Sequence, residues 1–312
     1  MQEDSPASLP GASLWHSMIS TDPSSARATI EVPGTTSNFG PGFDCLGAAL
    51  SLTNRFCLEL SEEGGETHAF LQEATDLFHA QPEVARSAPS FRWSVEGAVP
   101  RSRGLGSSVT VRLGILAAWN ALWGEPLSRE RLFALTSRLE GHPDNAGPAA
   151  FGGFFVGPPG GGIFTFPIPE ALRFVTVVRR HEVVTDDARK VLPEHIPFEH
   201  AVANVGRVAG LVAAFSRGDL SALRGLFEDH LHEPYREVLN KGMRGMIRAG
   251  EEAGAYGGFL SGSGSTLICL TEADEADAVC EAMMAACPDE GQPEKHVLRG
   301  DNQGYRVAEV SA

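Results

Sequence analysis

Residues 101–109 read RSRGLGSSV and are separated by Thr110 alone from VRLGILAAWNALWG (111–124), a stretch whose apolar side chains recur at helical spacing. The first N–H groups of a helix lack intrahelical partners and lie at the positive end of the helix dipole. A glycine loop that opens a helix can therefore hold phosphate oxygens. The hydroxyls of Ser107 and Ser108 add hydrogen-bond donors, and one of them could ligate magnesium.

This loop matches neither of the two common nucleotide-binding motifs. A Walker loop has the form GxxxxGK followed by Ser or Thr, but the chain has only three lysines, Lys190, Lys241 and Lys295, all far from the loop in sequence. A dinucleotide-binding GxGxxG motif would need a third glycine where Val109 stands. Taken alone, GLGSS is more typical of a cap on a buried helix, so its interpretation depends on other segments.

Three other segments concentrate chemically useful groups. PGTTSNFGPGFDCLG (33–47) combines backbone amides with Asn38 and Asp44 between two predicted strands. EGHPDN (140–145), at a predicted helix end, brings two carboxylates, an imidazole and an amide together, a density that favours a metal and substrate site. SGSGST (261–266) lies between apolar runs and allows close approach of a ligand or another chain. Taken alone, the first segment is more typical of an irregular strand connection, and the last is at least as typical of a simple tight hairpin.

Composition limits the classes of partner. The 312 residues contain 25 Lys and Arg against 40 Asp and Glu, a formal charge of −15, which disfavours general binding to nucleic acid or anionic membranes. No apolar run approaches the roughly 18 residues of a membrane span. The five cysteines form no CxxC pair and no zinc pattern, so we expect reduced thiols in a soluble, cytoplasmic protein. Residues 1–25, rich in Ser and Pro, are predicted to be a loose extension.

Strand and helix patterns interleave without the strict βαβ rhythm of a doubly wound sheet, which favours an α+β fold in two domains. We expect strand segments at 26–33, as two pieces within 47–60, and at 91–100. A second helix is predicted at 127–141, with Ser128 as its cap and Gly141 at its end. Residues 62–89 carry no clear pattern. In the second half, helices are predicted at 198–217 and 219–230, and strands on both sides of SGSGST.

The order of these segments resembles the GHMP small-molecule kinases, and within them most closely the homoserine kinases. The similarity covers about residues 26–270. It rests on NFGPGFDCLGAAL (38–50), EGHPDNAGPAAFGGF (140–154), TDDARKVLP (185–193), HEPYR (232–236) and GAYGGFLSGSGST (254–266). It implies a two-domain GHMP kinase fold, with a ribosomal protein S5 domain 2-like N-terminal domain at 26–167 and a ferredoxin-like C-terminal domain at 168–312.

The resemblance also implies an activity. It would be transfer of the γ-phosphoryl group of ATP to the side-chain hydroxyl of L-homoserine, giving O-phospho-L-homoserine in threonine biosynthesis. ATP and Mg²⁺ are the implied cofactors, and a homodimer is compatible with the similarity. Phosphoryl transfer requires mainly alignment of the hydroxyl and neutralisation of charge, which amides, a metal and arginines can provide.

By the same resemblance, the ATP triphosphate would be wrapped by one continuous loop. Its residues are Pro100, Arg101, Ser102, Arg103, Gly104, Leu105, Gly106, Ser107, Ser108, Val109 and Thr110. Ser108 and Glu140 would hold magnesium. The turn at Ser261, Gly262, Ser263 and Gly264 would contact phosphate or substrate. The segment ATDLF (74–78) is what the resemblance implies for contacts with adenine, and it is shorter than in the family.

Homoserine is a zwitterion, so its site needs both cations and anions. The family motifs place Arg189 and Arg236 on the carboxylate, and Asp44 and Asp144 on the ammonium group. Asn38 and His142 would orient the hydroxyl and the loop. The implied catalytic set is Asn38, Asp144 and Asn145. Because Asn145 stands where relatives such as mevalonate kinase have an Asp base, the identity of the base is open, and catalysis by positioning alone is one alternative.

Three other functions remain to be compared. A GHMP kinase for a sugar or a mevalonate-type alcohol would not explain paired aspartates beside two arginines, since those substrates lack an ammonium group. A non-catalytic, ligand-sensing member of the fold would have no need for the metal ligands. A dinucleotide-dependent oxidoreductase is disfavoured by the missing third glycine and the absent βαβ rhythm.

Overall fold

Two antiparallel sheets, each covered by helices, organise the chain in a computed structural model that describes residues 26–63, 65, 68–289 and 293–311. The strands of each sheet pair antiparallel, and the helices pack in groups rather than alternating with parallel strands. This confirms the predicted α+β class. The predicted extension at 1–25 lies outside the described residues.

The first sheet has six strands in the order β10-β1-β2-β4-β5, with β3 paired to β2. Its strands are β1 (Arg27–Ser37), β2 (Leu46–Leu60), β3 (Phe91–Gly97), β4 (Phe154–Val156), β5 (Phe164–Phe166) and β10 (Arg306–Ser311). The two strand pieces expected within 47–60 form one strand, because β2 stays paired with β1 across a register shift between Pro33 and Thr35.

Within the part of the chain that the structure describes, four helices belong with the first sheet. They are α1 (Ala69–His79), α2 (Ser107–Leu122), α3 (Arg129–Glu140) and α4 (Pro143–Phe151). The sequence patterns anticipated α2 and α3 but neither α1 nor α4. In α1, Ala74 and Phe78 are buried, and Thr75 accepts a hydrogen bond from the indole of Trp119 at 3.2 Å. The implied adenine segment 74–78 therefore packs largely into the core.

The second sheet has the order β7-β8-β6-β9. Its strands are β6 (Leu172–Val178), β7 (Gly257–Leu260), β8 (Leu267–Glu272) and β9 (Glu294–Leu298). Its helices are α5 (Thr185–Lys190), α6 (Phe198–Arg217), α7 (Glu233–Arg236), α8 (Met243–Glu252) and α9 (Ala276–Ala285). Among the described residues, no helix has both the length and the apolar character that a membrane crossing requires.

The helix predicted at 219–230 is wrong. Only a 3₁₀ turn forms there, at Leu220–Leu223. Downstream of it the Asp229 carboxylate accepts the backbone N–H groups of Leu231, His232 and Glu233, which anchors an irregular approach to α7 instead. The domain boundary at 167 stays a prediction. The last strand, β10, pairs with β1 in the first sheet.

Phe39 joins the two sheets. It is fully buried although its φ is 49°, in the left-handed region that bulky residues avoid. Its ring packs edge-on against Phe154 of β4, with centroids 5.1 Å apart, and stacks on Phe259 of β7 at 4.7 Å. Packing across both sheets thus stabilises a strained backbone next to Asn38.

We predict that Phe39→Ala lowers the free energy of unfolding by about 3–5 kcal/mol, because the truncation leaves a cavity at the contact between the sheets. Urea denaturation followed by fluorescence measures the change. Phe164→Ala, at a phenylalanine that is 52% exposed, is the matched control and is expected to cost well under about 1 kcal/mol. Equal losses for the two variants would contradict this account of Phe39.

Candidate active site

A cleft of about 400 Å³ collects loops that are distant in sequence. It lies where the ends of β1 and α3 meet the starts of α2 and α4, with α5, α7 and the β7–β8 turn opposite. The predicted site residues that line it are Asn38, Asp44, Gly104, Gly106, Ser107, Ser108, Glu140, His142, Asp144, Asn145, Arg189, Arg236, Gly262 and Ser263. The four glycine-rich or charged segments therefore share one site.

The GLGSS loop reaches the cleft through its glycines and serines. Gly104 and Gly106 have φ values of 78° and 69°, so the chain turns sharply before α2 begins at Ser107. Leu105 is buried, and its carbonyl accepts the backbone N–H of Thr35 at 3.1 Å, which fixes the loop against β1. The first amides of α2 are consequently held at the cleft wall.

Several other members of the predicted ATP loop direct their side chains elsewhere. Val109 is fully buried, and Thr110 is buried with its hydroxyl bonded to Asn54 at 2.9 Å. The Arg103 guanidinium turns away from the cleft to the Arg180 carbonyl at 2.7 Å and Glu182 at 3.1 Å. Contacts of these side chains with ATP, implied by the family motif, are therefore not supported by the geometry.

A second pocket, of about 610 Å³, adjoins the same helix start. Arg101, Ser102, Ser107 and Ser108 lie on its edge. Its wall is aromatic and apolar and is formed by residues that sequence reasoning missed: His68, Phe70, Leu71, Trp93, Val95 and Val99. The alternating strand FRWSV was the available signal for this wall. A flat heteroaromatic base fits such a surface.

Glu140 and Ser108 form an oxygen pair at the cleft. The Ser108 hydroxyl donates to Glu140 Oε2 at 2.9 Å, and Arg112 holds the other carboxylate oxygen, Oε1, at 3.1 Å. The Glu140 side chain is only 8% exposed. A hydroxyl and one carboxylate oxygen match the donors that Mg²⁺ accepts when phosphates complete its shell, so these residues fit the ion. Arg112, one turn into α2, was not anticipated.

The HPDN segment opens helix α4. His142 is the N-cap residue, Pro143 occupies the first turn, and Asp144 lies at the positive end of the helix dipole. Gly47 permits this placement, because the backbone carbonyl of Asp144 lies where a Cβ atom would be. The sequence patterns place this segment only at the end of a predicted helix, although proline followed by an acidic residue is also a helix start signal.

His142 is hydrogen bonded through Nδ1 to Asp144 Oδ1. Burial alone would lower the pKa of His142, but the hydrogen bond and the charge of Asp144 outweigh it, so the pKa is raised above its ordinary value. The buried carboxylate of Asp144 therefore favours the protonated form of the adjacent His142 ring at the cleft.

The side-chain amide of Asn145 is fixed by two hydroxyls of β1. Thr35 donates to Asn145 Oδ1 at 2.7 Å, and Asn145 Nδ2 donates to Ser37 Oγ at 3.0 Å. Sequence reasoning read TTS only as part of a strand connection. A run of hydroxyl residues at a strand end was the signal that could have identified this positioning role.

The structure pairs Asp44 with Arg189 in a two-pronged ion pair, with N–O distances of 2.9 and 2.8 Å. The family motifs place these two residues on opposite groups of the substrate, so their mutual pairing is a new constraint. The hydrogen bond with Asp44 raises the pKa of Arg189. Asn38 holds this loop, because its Oδ1 accepts the Asp44 N–H and its Nδ2 donates to the Gly262 carbonyl, both at 3.1 Å.

Arg236 is buried at the back of the cleft, and burial followed by the charge of Arg189 lowers its pKa to about 10. Its Nε donates to the Ala188 carbonyl at 3.1 Å, and Nη1 donates to the Gly262 carbonyl at 2.9 Å. Nη2 makes no hydrogen bond to any residue in the described ranges. Since guanidinium has five N–H donors, two remain for a ligand.

The β7–β8 turn closes the cleft from the other side. Ser261 is buried, with its hydroxyl 2.6 Å from the Gly104 carbonyl and 2.7 Å from the Thr36 hydroxyl. Ser263 lines the cleft, whereas Gly264 faces Asn240 and Leu260. Ser261 therefore supports the turn instead of presenting its side chain to a ligand.

Two GHMP kinase family models match separate parts of the chain. The family model "GHMP kinases N terminal domain" matches residues 69–153, and "GHMP kinases C terminal" matches residues 211–289. A homoserine kinase from Synechococcus sp. (strain CC9605) is 37% identical over 280 residues, covering 83% of this chain and 89% of that protein. The chain belongs to the homoserine kinase family of GHMP kinases.

Other homoserine kinases agree over more of the chain. The one from Thermosynechococcus vestitus is 36% identical over 296 residues, which cover 90% of this chain and 98% of that protein. The crystal structure of homoserine kinase from Cytophaga hutchinsonii superposes with a TM-score of 0.80 at 26% identity, covering 93% of this chain and 99% of that one. The predicted GHMP kinase fold is confirmed.

We predict that Asp144→Asn lowers the pKa of His142 towards or below its ordinary value, because the substitution removes the anion that stabilises the imidazolium. Histidine NMR titration of both proteins measures the shift. In the wild type, the raised pKa makes the protonated ring stabilise the fold below pH about 6.5, and this stabilisation is lost as pH rises through the folded pKa. An unchanged His142 titration in Asp144→Asn would disprove the coupling.

Proposed function

We propose that this protein phosphorylates the side-chain hydroxyl of L-homoserine with ATP, forming O-phospho-L-homoserine. The observation that carries the proposal is the composition of one cleft: a helix start with exposed amides faces two arginines and two aspartates. The first can hold phosphates, and the second set can hold a zwitterionic amino acid. Sequence similarity to homoserine kinases supports the same substrate and reaction.

In this proposal ATP spans the two adjoining pockets. The base lies in the aromatic pocket bordered by Trp93, and the phosphates pass Ser107 and Ser108 to reach the cleft. Backbone amides at the α2 start would hold the β- and γ-phosphates without any lysine. Ser108 and Glu140 would hold Mg²⁺, which when bound neutralises the charge of the phosphate oxygens.

L-Homoserine would bind beside the Asp44–Arg189 ion pair. Its carboxylate would accept from the Nη2 donors of Arg236 and from Arg189, while its ammonium group would face Asp44 and Asp144. Binding would thus replace the Asp44–Arg189 ion pair with two ion pairs between the protein and the amino acid. This replacement limits the net free-energy cost of desolvating the site. Substrates without both charges cannot make this exchange.

The chain positions the hydroxyl rather than deprotonating it through Asn145. The side-chain amide of Asn145 is too weak a base to accept the hydroxyl proton. Its orientation is already fixed by hydrogen bonds with Thr35 and Ser37. Asn38, Asp144 and Asn145 would align the hydroxyl with the γ-phosphorus, and His142 would orient Asp144. Alignment and charge neutralisation can supply much of the acceleration of a phosphoryl transfer.

The net charge of the chain bears on its compartment and on the classes of partner that we propose. A charge of −15 suits a cytoplasmic enzyme of small molecules and disfavours nucleic acid or an anionic membrane as a partner. A homodimer is part of the proposal, and sedimentation analysis would test it.

The activity is tested by ADP release measured with L-homoserine, mevalonate and galactose as acceptors. We expect ADP release that depends on L-homoserine, with O-phosphohomoserine identified by mass spectrometry. The other two alcohols should give only background, because neither carries an ammonium group for the aspartates. Preference for mevalonate or galactose would point to another GHMP kinase activity, and no turnover with tight ligand binding would favour a sensor.

We predict that Arg236→Leu raises the KM for L-homoserine roughly ten- to hundredfold, the value of a lost charge-assisted hydrogen bond. The KM for ATP should change little, because Arg236 lies on the amino-acid side of the cleft. Arg244→Leu, which removes an exposed arginine paired with Glu237, is the charge-matched control. Steady-state kinetics with each substrate varied distinguishes the two, and equal increases in both KM values would contradict the role.

A further inference from the structure

His232 lies beneath the cleft and is not among its lining residues. Its side chain is completely buried. One ring nitrogen, Nε2, is 2.9 Å from the Gly40 carbonyl, and the other, Nδ1, is 3.3 Å from Arg236 Nη1. The ring therefore touches both the loop that carries Asp44 and the guanidinium opposite it.

The neighbours of each nitrogen determine the tautomer. Nε2 faces only acceptors, the Gly40 carbonyl and the Asp229 carboxylate at 3.5 Å, so it must carry the hydrogen. Nδ1 faces a guanidinium, which only donates, so it must be the acceptor. A hydrogen on Nδ1 would oppose another donor, and a charged ring would oppose the Arg236 cation. Burial also lowers the pKa of His232, to about 4, in agreement with a neutral ring.

Asp229 and Asn204 hold the histidine and the same loop. The Asp229 carboxylate accepts the backbone N–H of His232 at 2.7 Å and the side-chain amide of Asn204 at 2.6 Å. The Asn204 amide also donates to the Pro41 carbonyl at 3.2 Å. Two consecutive carbonyls of the Gly40–Pro41 loop are thus bound from α6 and from the start of α7.

The aromatic ring of Phe43 contacts both the imidazole of His232 and the two arginines of the cleft. Its ring centroid is 5.1 Å from that of His232. The Arg189 and Arg236 guanidinium carbons lie 5.4 and 5.1 Å from the same centroid. Two cations that repel each other therefore share contact with one aromatic ring, which packs on the imidazole.

We propose that His232, as a neutral imidazole with its hydrogen on Nε2, is the positioning residue that sets the separation between Arg236 and the Asp44 loop. Through Nε2 it holds the loop, and through Nδ1 it orients Arg236 so that Nη2 faces the cleft. The inference rests on the proposed function for its kinetic consequence, whereas the tautomer is a property of the protein alone.

The kinetic test compares His232→Leu with His232→Asn. Leu and Asn have similar shape, but only Asn offers an oxygen near the Nδ1 position to accept from Arg236. We expect His232→Leu to raise the KM for L-homoserine roughly tenfold or more, with the KM for ATP within about twofold of wild type. His232→Asn should recover part of the loss. His230→Leu, whose ring stacks on His200 outside the cleft, is the control.

Equal increases in both KM values, or no recovery with Asn, would overturn the proposal. A second measurement is independent of turnover. Long-range ¹H–¹⁵N NMR of histidine-labelled wild-type protein, with the signal assigned by its loss in His232→Asn or His232→Gln, should show a neutral ring with hydrogen on Nε2 at neutral pH. An imidazolium or the Nδ1–H tautomer would disprove the assignment even if homoserine proved not to be the substrate.

Discussion

The short turn at Ser261 and Gly262 holds the two halves of the cleft together. Ser261 bonds to the GLGSS loop through the Gly104 carbonyl, and the Gly262 carbonyl accepts from both Asn38 and Arg236. Two loops and helix α7, from distant parts of the chain, therefore depend on one turn between β7 and β8. Gly104 has to be glycine here, since a Cβ atom on it would lie 2.0 Å from the Ser261 carbonyl oxygen. This close approach brings the start of α2 and the charged groups of the cleft into one site.

Charge is balanced within the cleft before any ligand arrives. Asp44 neutralises Arg189, Asp144 stabilises a protonated His142, and Arg112 accompanies Glu140. Each of these three pairs joins opposite charges, which limits the desolvation cost of the site, whereas buried Arg236 is held only by neutral groups and keeps two donors for a ligand. A zwitterion fits this arrangement because it brings one charge of each sign, and it leaves the total charge of the site unchanged.

Sequence reasoning predicted the features that depend on local composition. The glycine loop before α2 and the ends of α3 and α6 follow from periodicity and capping, and family motifs brought most of the cleft residues together. Contacts between residues that are far apart in sequence could not be predicted from local composition. Nothing local shows that Asp44 pairs with Arg189, that Arg103 turns to Arg180, or that Asp229 replaces a predicted helix at 219–230 with an irregular segment. These depend on partners many residues away.

The most direct test of a shared cleft is a crystal structure with a non-hydrolysable ATP analogue, Mg²⁺ and L-homoserine. The account predicts the base in the pocket beside Trp93 and the γ-phosphate at the start of α2. The homoserine hydroxyl should point at that phosphate, with its carboxylate on Arg236 and its ammonium group near Asp44. Homoserine bound outside this cleft, or with its hydroxyl directed away from the γ-phosphate, would contradict the central claim.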